Sequence, residues 1–157
     1  TGANLWEADL SDSILDKVNF TGAHLWDTVL KNAKIDGAIF YRANLEGANL
    51  TQANLQDASF KGSSLEGTNL TKANLQDADL KGSSLKGVNL SGANLQDANL
   101  KATNLERADL SGANLAGANL RDATISQANF TDAILEGVLG LPHDVLVTLK
   151  EKGKIID

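Results

Sequence analysis

The sequence predicts an all-β protein: a four-sided solenoid of nearly seven coils, with a short helix over one end. Three observations predict it. From Leu5 to Leu135 every fifth residue is large and apolar, giving 27 consecutive positions of Leu, Ile or Phe without insertion or deletion. A small residue stands two places before most of them, as at Ala3, Ala8, Ser13, Ala23 and Ala33. Residues 51–70 match residues 71–90 at 15 of 20 positions, whereas residues 51–65 match 66–80 at only 4 of 15.

The period of five excludes the simpler elements. In a helix, five residues at about 100° each advance about 500°, so successive leucines would smear around the axis. In a straight strand, a five-residue step sends each leucine to the opposite face. A chain that bends once per repeat keeps every leucine inside. The small residue and the leucine then share the inward face, and the remaining residues turn a corner where Gly, Asn and Asp tolerate unusual dihedrals. The self-match at twenty residues makes the coil four repeats long. At β-strand spacing, just under seven coils give a rod about 30 Å long.

The A-(N/D)-L-x-x tandem, as in Ala93-Asn94-Leu95-Gln96-Asp97, resembles the pentapeptide-repeat family over residues 1–138. That resemblance implies a right-handed pentapeptide-repeat β-helix and agrees with the four sides. The long, Asn-rich array is similar to many cyanobacterial and plastid members, which implies a cytoplasmic or thylakoid-lumen location. Some members of the family mimic duplex DNA and bind type II topoisomerases such as gyrase.

Composition limits the function. The chain has 157 residues, enough for one domain with a sizeable core. It has no cysteine, which removes disulfides, thiolate catalysis and Cys-ligated zinc. Thr1 opens inside a repeat and methionine is absent, which predicts a processed or trimmed N-terminus. No apolar run is long enough to span a membrane. The formal net charge of −6 favours solubility and gives no general affinity for nucleic acid.

Residues twenty apart should stack. Phe20, Phe40 and Phe60 form one inward column, read as an aromatic stack in the core. Asn54, Asn74, Asn94 and Asn114 form an outer amide ladder beside Gln56, Gln76 and Gln96, expected to bond along the stack. Charges also align, with Asp57, Asp77 and Asp97 in one column and Lys61, Lys81, Lys101 and Arg121 on the next face. The two ladders are expected to offset each other. The aspartates have no calcium-binding loop pattern and face competing lysines, so they read as solvated surface.

The first two coils are unlike the rest. Trp6 and Trp26 occupy the same outward position one coil apart. Ile14, Val29 and Ile39 replace the usual outward polar residue, and Tyr41 lies nearby, the group being spread over more than one face. Exposed apolar residues mark partner surfaces, and Trp and Tyr are favoured anchors. These six are the candidate interaction surface. The alternatives are that an upstream segment covers them or that the tryptophans pack on each other.

The ends differ. The pattern breaks at Gly140, dividing a solenoid over residues 1–139 from a cap over 140–157. Pro142 early, Asp144 in the first turn, Lys150 and Lys152 in the last and Gly153 just beyond predict a helix over about residues 142–152. Val145, Leu146 and Leu149 give it an apolar stripe for the last coil, and Lys154-Ile155-Ile156 predicts an extended tail. At the other end Leu5, Leu10, Leu15 and Phe20 have no comparable cap. That predicts an upstream segment or a homodimer meeting there.

Nothing in the pattern reads as catalysis. His24 lies in an outward slot beside Trp26, His143 starts the cap, and neither belongs to a metal or triad motif. Ser63 and Ser83 fill inward small-residue slots, which suits packing rather than attack. The sequence therefore predicts a non-enzymatic structural or protein-interaction rod without a cofactor. The alternative taken from the family is a DNA-mimicking topoisomerase modulator. Its best support is an acidic band of Glu7 and Asp27 beside Glu46, Glu66 and Glu106, interrupted by Lys86.

Overall fold

The structure, a computed structural model, describes residues 1–151 and 155–156. Its backbone is a ladder of parallel bridges, one every five residues, from Asn4↔His24 to Asn119↔Leu139. Every partner lies twenty residues on, so four short sides make each turn of the solenoid. Each side contributes two bonds to the next turn. The His24 N–H donates to the Ala3 carbonyl at 2.9 Å, and the Leu5 N–H to the His24 carbonyl at 2.8 Å.

Between sides the chain makes a four-residue turn. The Ala8 N–H donates to the Leu5 carbonyl at 3.0 Å, and the same bond recurs at later corners. The third residue of each turn lies in the left-handed region, as a type II turn requires. Asp57 (φ 56°), Asp77 (φ 57°) and Asp97 (φ 56°) occupy it, and so do Lys72 and Ala102, both at φ 56°. Asp and Asn bear this conformation at low cost, Lys and Ala less readily. The fold overrides local preference where the ladder on both flanks fixes the corner.

The core is the axis of the rod. Leu25 to Leu115 and the alanines in the inward slots between them are almost wholly buried. Phe20 stacks on Phe40 at 5.0 Å between centroids and Phe40 on Phe60 at 4.6 Å. Leu80, Leu100 and Leu120 continue that column at 0–1% exposure. Polar residues in inward slots are satisfied there. Thr28 and Thr68 donate their hydroxyls to the Leu5 and Leu45 carbonyls, each at 2.7 Å. At the first turn Leu5, Leu10 and Leu15 are only partly buried, against 6% exposure for Phe20.

After Leu139 the chain leaves the solenoid through Gly140, at φ 91°. A Cβ there would run into the backbone of Leu120 and Arg121. Only glycine passes so close to the turn below. Helix α1 follows over His143–Glu151, and Leu141, Leu146 and Leu149 pack on the core. Leu141 thus joins the expected Leu146 and Leu149, and Val145 is half-buried. Leu146 and Leu149 are three apart and Val145 and Leu149 four, so the three share one face of the helix. The expected helix end at Lys152 and Gly153, and Lys154, lie outside the described residues. Strand β1, Ala133–Ile134, pairs in parallel with β2, Ile155–Ile156. The tail therefore lies along one side of the last turn. Among the described residues no helix is long and apolar enough to cross a membrane.

Candidate interaction surface

The corner following Leu5 and Leu25 carries Trp6 and Trp26. Twenty residues apart, they stand one above the other with ring centroids 4.5 Å apart and planes 6° from parallel. They remain 47% and 38% exposed, so the stack does not remove them from solvent. His24, exposed, sits two residues before Trp26.

The other candidate residues are not brought to this corner. Ile14 is 72% exposed on a different side, bridged to Lys34. Ile39 stands on the side bridging Asn19 and Ser59, two residues from Tyr41, and both are 40% exposed. Arg42 lies over the Tyr41 ring at 5.0 Å, a cation–π contact. Val29 is half-buried. The six residues thus form a Trp pair, an Ile39–Tyr41 group and two isolated side chains.

The amide ladder bonds along the stack. Asn74 donates to Asn54 at 2.9 Å, Asn94 to Asn74 at 3.0 Å and Asn114 to Asn94 at 3.2 Å. Each acceptor oxygen from Asn74 upward also takes a backbone N–H two residues on, as Asn94 does from Gln96 at 3.2 Å. The glutamines beside it behave differently. Gln76 and Gln96 donate sideways to Asp77 and Asp97, each at 3.2 Å, instead of along the stack.

The basic ladder makes its direct ion pairs outside the aspartate column. Lys61 pairs with Asp79 at 2.8 Å and Lys101 with Asp122 at 3.7 Å, and neither reaches Asp57, Asp77 or Asp97. The hydrogen bond and charge of Asp79 raise the Lys61 ammonium above the usual lysine value. A second cluster joins Lys86 to Glu106 at 3.3 Å and Arg107 to Glu106 at 3.7 Å. Asp9 accepts the Ser11 hydroxyl at 2.6 Å and its N–H at 2.9 Å, which hold its carboxyl below the usual range.

Two exposed apolar residues of the solenoid were missed from the sequence, Ile134 at 36% and Leu139 at 42%. Both occupy outward slots filled one turn earlier by Asn114 and Asn119, so the repeat itself held the signal. Ser63 and Ser83, 3% and 2% exposed, donate to the Phe60 and Leu80 carbonyls at 2.6 and 2.5 Å.

These features define a stacked β-solenoid with an aromatic corner. A family model described as a pentapeptide repeat region matches residues 33–110, and one for eight pentapeptide repeats matches residues 1–32, 13–52 and 98–137. The chain belongs to the pentapeptide-repeat family. Among solved structures it is similar to HetL from the cyanobacterium Nostoc sp. strain PCC 7120, a pentapeptide repeat protein involved in heterocyst differentiation regulation. Identity is 31% over 89% of this chain and 77% of that one, with a TM-score of 0.48. A trypsin-treated form of QnrB1, a plasmid-mediated fluoroquinolone resistance protein, is 19% identical over 95% of this chain and 84% of that one. Its TM-score of 0.76 shows a shared fold. A pentapeptide repeat protein of the Arabidopsis thaliana thylakoid lumen is 28% identical over 96% and 77%, with a TM-score of 0.42. No curated protein sequence matches the chain.

Proposed function

We propose that this protein is a non-enzymatic interaction rod that engages another protein through the corner carrying Trp6 and Trp26. The carrying observation is the exposed, parallel indole pair. The same column holds Glu46, Glu66 and Lys86 in later turns, so the solenoid needs no aromatic residue there. Exposed tryptophans are favoured anchors at protein interfaces. The serines support the absence of catalysis, because Ser63 and Ser83 are buried and commit their hydroxyls to carbonyls. Residues 140–157 act as a cap, supported by the packing of Leu141, Leu146 and Leu149 on the core.

DNA mimicry requires an uninterrupted acidic surface of high charge density. The column of Lys61, Lys81, Lys101 and Arg121 and the Lys86–Glu106–Arg107 cluster break it. The test compares affinity capture from the source cell with the wild type and with a Trp6→Ala/Trp26→Ala variant. At least one protein should be captured by the wild type alone, and identical sets would overturn the proposal. Inhibition or protection in a gyrase supercoiling assay would favour mimicry instead.

A further inference from the structure

The Trp corner is also an acidic corner of the rod's first half. Resting on the interaction surface above, we propose that it recognises a cationic segment, an arginine- or lysine-bearing stretch of the partner laid along the rod. In register with the bridges Asn4↔His24, His24↔Asn44 and Asn44↔Ser64, the column reads Trp6, Trp26, Glu46, Glu66. The residues after the two tryptophans are Glu7 and Asp27. Over four turns this corner presents two indoles and four carboxylates and contains no Lys or Arg.

Among the described residues its carboxylates make no ion pair. Every ion pair among the described residues lies elsewhere, at Asp79, Asp122 or Glu106. Glu46 and Glu66 each accept one serine hydroxyl through Oε1, from Ser64 at 2.9 Å and Ser84 at 2.8 Å. Those bonds orient the carboxylates and leave Oε2 to a partner. Further up the corner, Lys86 and Arg107 close around Glu106, so the unpaired stretch ends where the chain supplies its own cations.

The pairing of residue types selects the partner's chemistry. Stacked carboxylates repel, and a cation between them removes that repulsion. Indole is the best aromatic acceptor for a cation, and guanidinium both stacks on rings and forks onto carboxylates. The one cation over a ring among the described residues is Arg42 over Tyr41, so the indoles hold none of the chain's own. An apolar partner would bury the carboxylates unpaired. A nucleic acid would meet like charge. From Trp6 to Glu66 is three coil spacings, about 15 Å, the span of roughly four or five extended residues.

Trp6 and Trp26 are the only two tryptophans, so indole emission reports on this corner alone. The probe is an end-blocked peptide of alternating arginine and glycine, with glutamate and leucine versions as comparisons. The arginine peptide should change the emission saturably, and neither comparison peptide should. Glu7→Gln/Asp27→Asn/Glu46→Gln should weaken its binding at least tenfold, and Asp77→Asn/Asp97→Asn, on another corner, by less than twofold. Calorimetry with Trp6→Ala/Trp26→Ala should also show at least a tenfold loss. Circular dichroism checks that each variant folds. The proposal falls if the triple variant binds within twofold of the wild type, if the other corner's variant loses as much, or if the arginine peptide does not bind. Tryptophan-dependent binding of the leucine peptide alone would overturn the cationic partner and leave the interaction surface standing. Identical capture by wild type and Trp variant would remove the surface itself.

Discussion

Phe40 stacks on two rings, whereas Phe20 and Phe60 stack on one each, and this asymmetry makes a measurable difference. Phe40 is fully buried, with Phe20 at 5.0 Å and Phe60 at 4.6 Å. Phe60 is equally buried, but its other neighbour in the column is Leu80. Replacing either by Leu preserves most of the volume and gives the side chain already used at Leu80, Leu100 and Leu120, so the cavity cost is below about 1 kcal/mol. An aromatic pair contributes about 0.5–1.5 kcal/mol beyond its area. Phe40→Leu loses two pairs, for a total of about 1–4 kcal/mol, and Phe60→Leu one, for about 0.5–2.5 kcal/mol, with Phe40→Leu the costlier by about one pair. Urea unfolding followed by circular dichroism measures both, with Trp emission checking that the first turns melt with the rest. Coincident transitions matter because solenoids can unfold in segments. A cycle with the double variant isolates the Phe40–Phe60 coupling. Equal costs for the two single variants, or zero coupling, would show that the column is held by buried area alone.

Asn94→Asp removes the donor to Asn74 and sets a carboxylate against its oxygen. It should cost about 1–3 kcal/mol at neutral pH. Urea unfolding midpoints at neutral pH read the loss, and an unchanged midpoint would remove the ladder's contribution. Gly140→Ala strains the left-handed backbone and drives a Cβ into the backbone of Leu120 and Arg121. It should cost about 2 kcal/mol or more and lower the thermal midpoint by about 4–8 °C; no change would remove the close approach. The raised Lys61 value means that its pairing with Asp79 stabilises at neutral pH and is lost as pH rises through the lysine range. Wild type should therefore exceed Asp79→Asn in stability at neutral pH, and the gap should narrow in alkali; a constant gap would contradict the pairing.

The fold was legible because one rule, repetition at twenty, decides every backbone pair from Asn4↔His24 to Asn119↔Leu139. The Phe and Asn columns follow from the same rule. Side-chain partners obey a second offset. Lys61 reaches Asp79, Ser64 reaches Glu46 and Ser84 reaches Glu66, each eighteen residues apart. A long corner side chain leans back over the outward slot of the next turn, two residues short of its own column. Column positions alone therefore did not give the ion pairs of Lys61 with Asp79 and Lys101 with Asp122. The tail was legible only as extended, since Ala133 pairs with Ile155 at an offset of twenty-two, outside the period. The Trp pair was visible by position, and so was the spread of Ile14, Ile39 and Tyr41 over other faces.

Translational symmetry sharpens what the Trp pair means. In the corner slot of Trp6 and Trp26 the later turns place Glu46, Glu66, Lys86, Glu106 and Ser126, and the ladder beside them continues unchanged to Thr124. The backbone therefore tolerates almost any side chain there, and folding alone does not call for tryptophan. Stacking of the two exposed rings contributes about 0.5–1.5 kcal/mol, well below the cost of opening the Phe column. Leaving large indoles in water has a solubility cost that Glu or Ser avoids. A residue that the core does not require and solvent disfavours has its reason outside the folded chain. On this rod that condition is met most fully where aromatic surface and unpaired carboxylates share one corner.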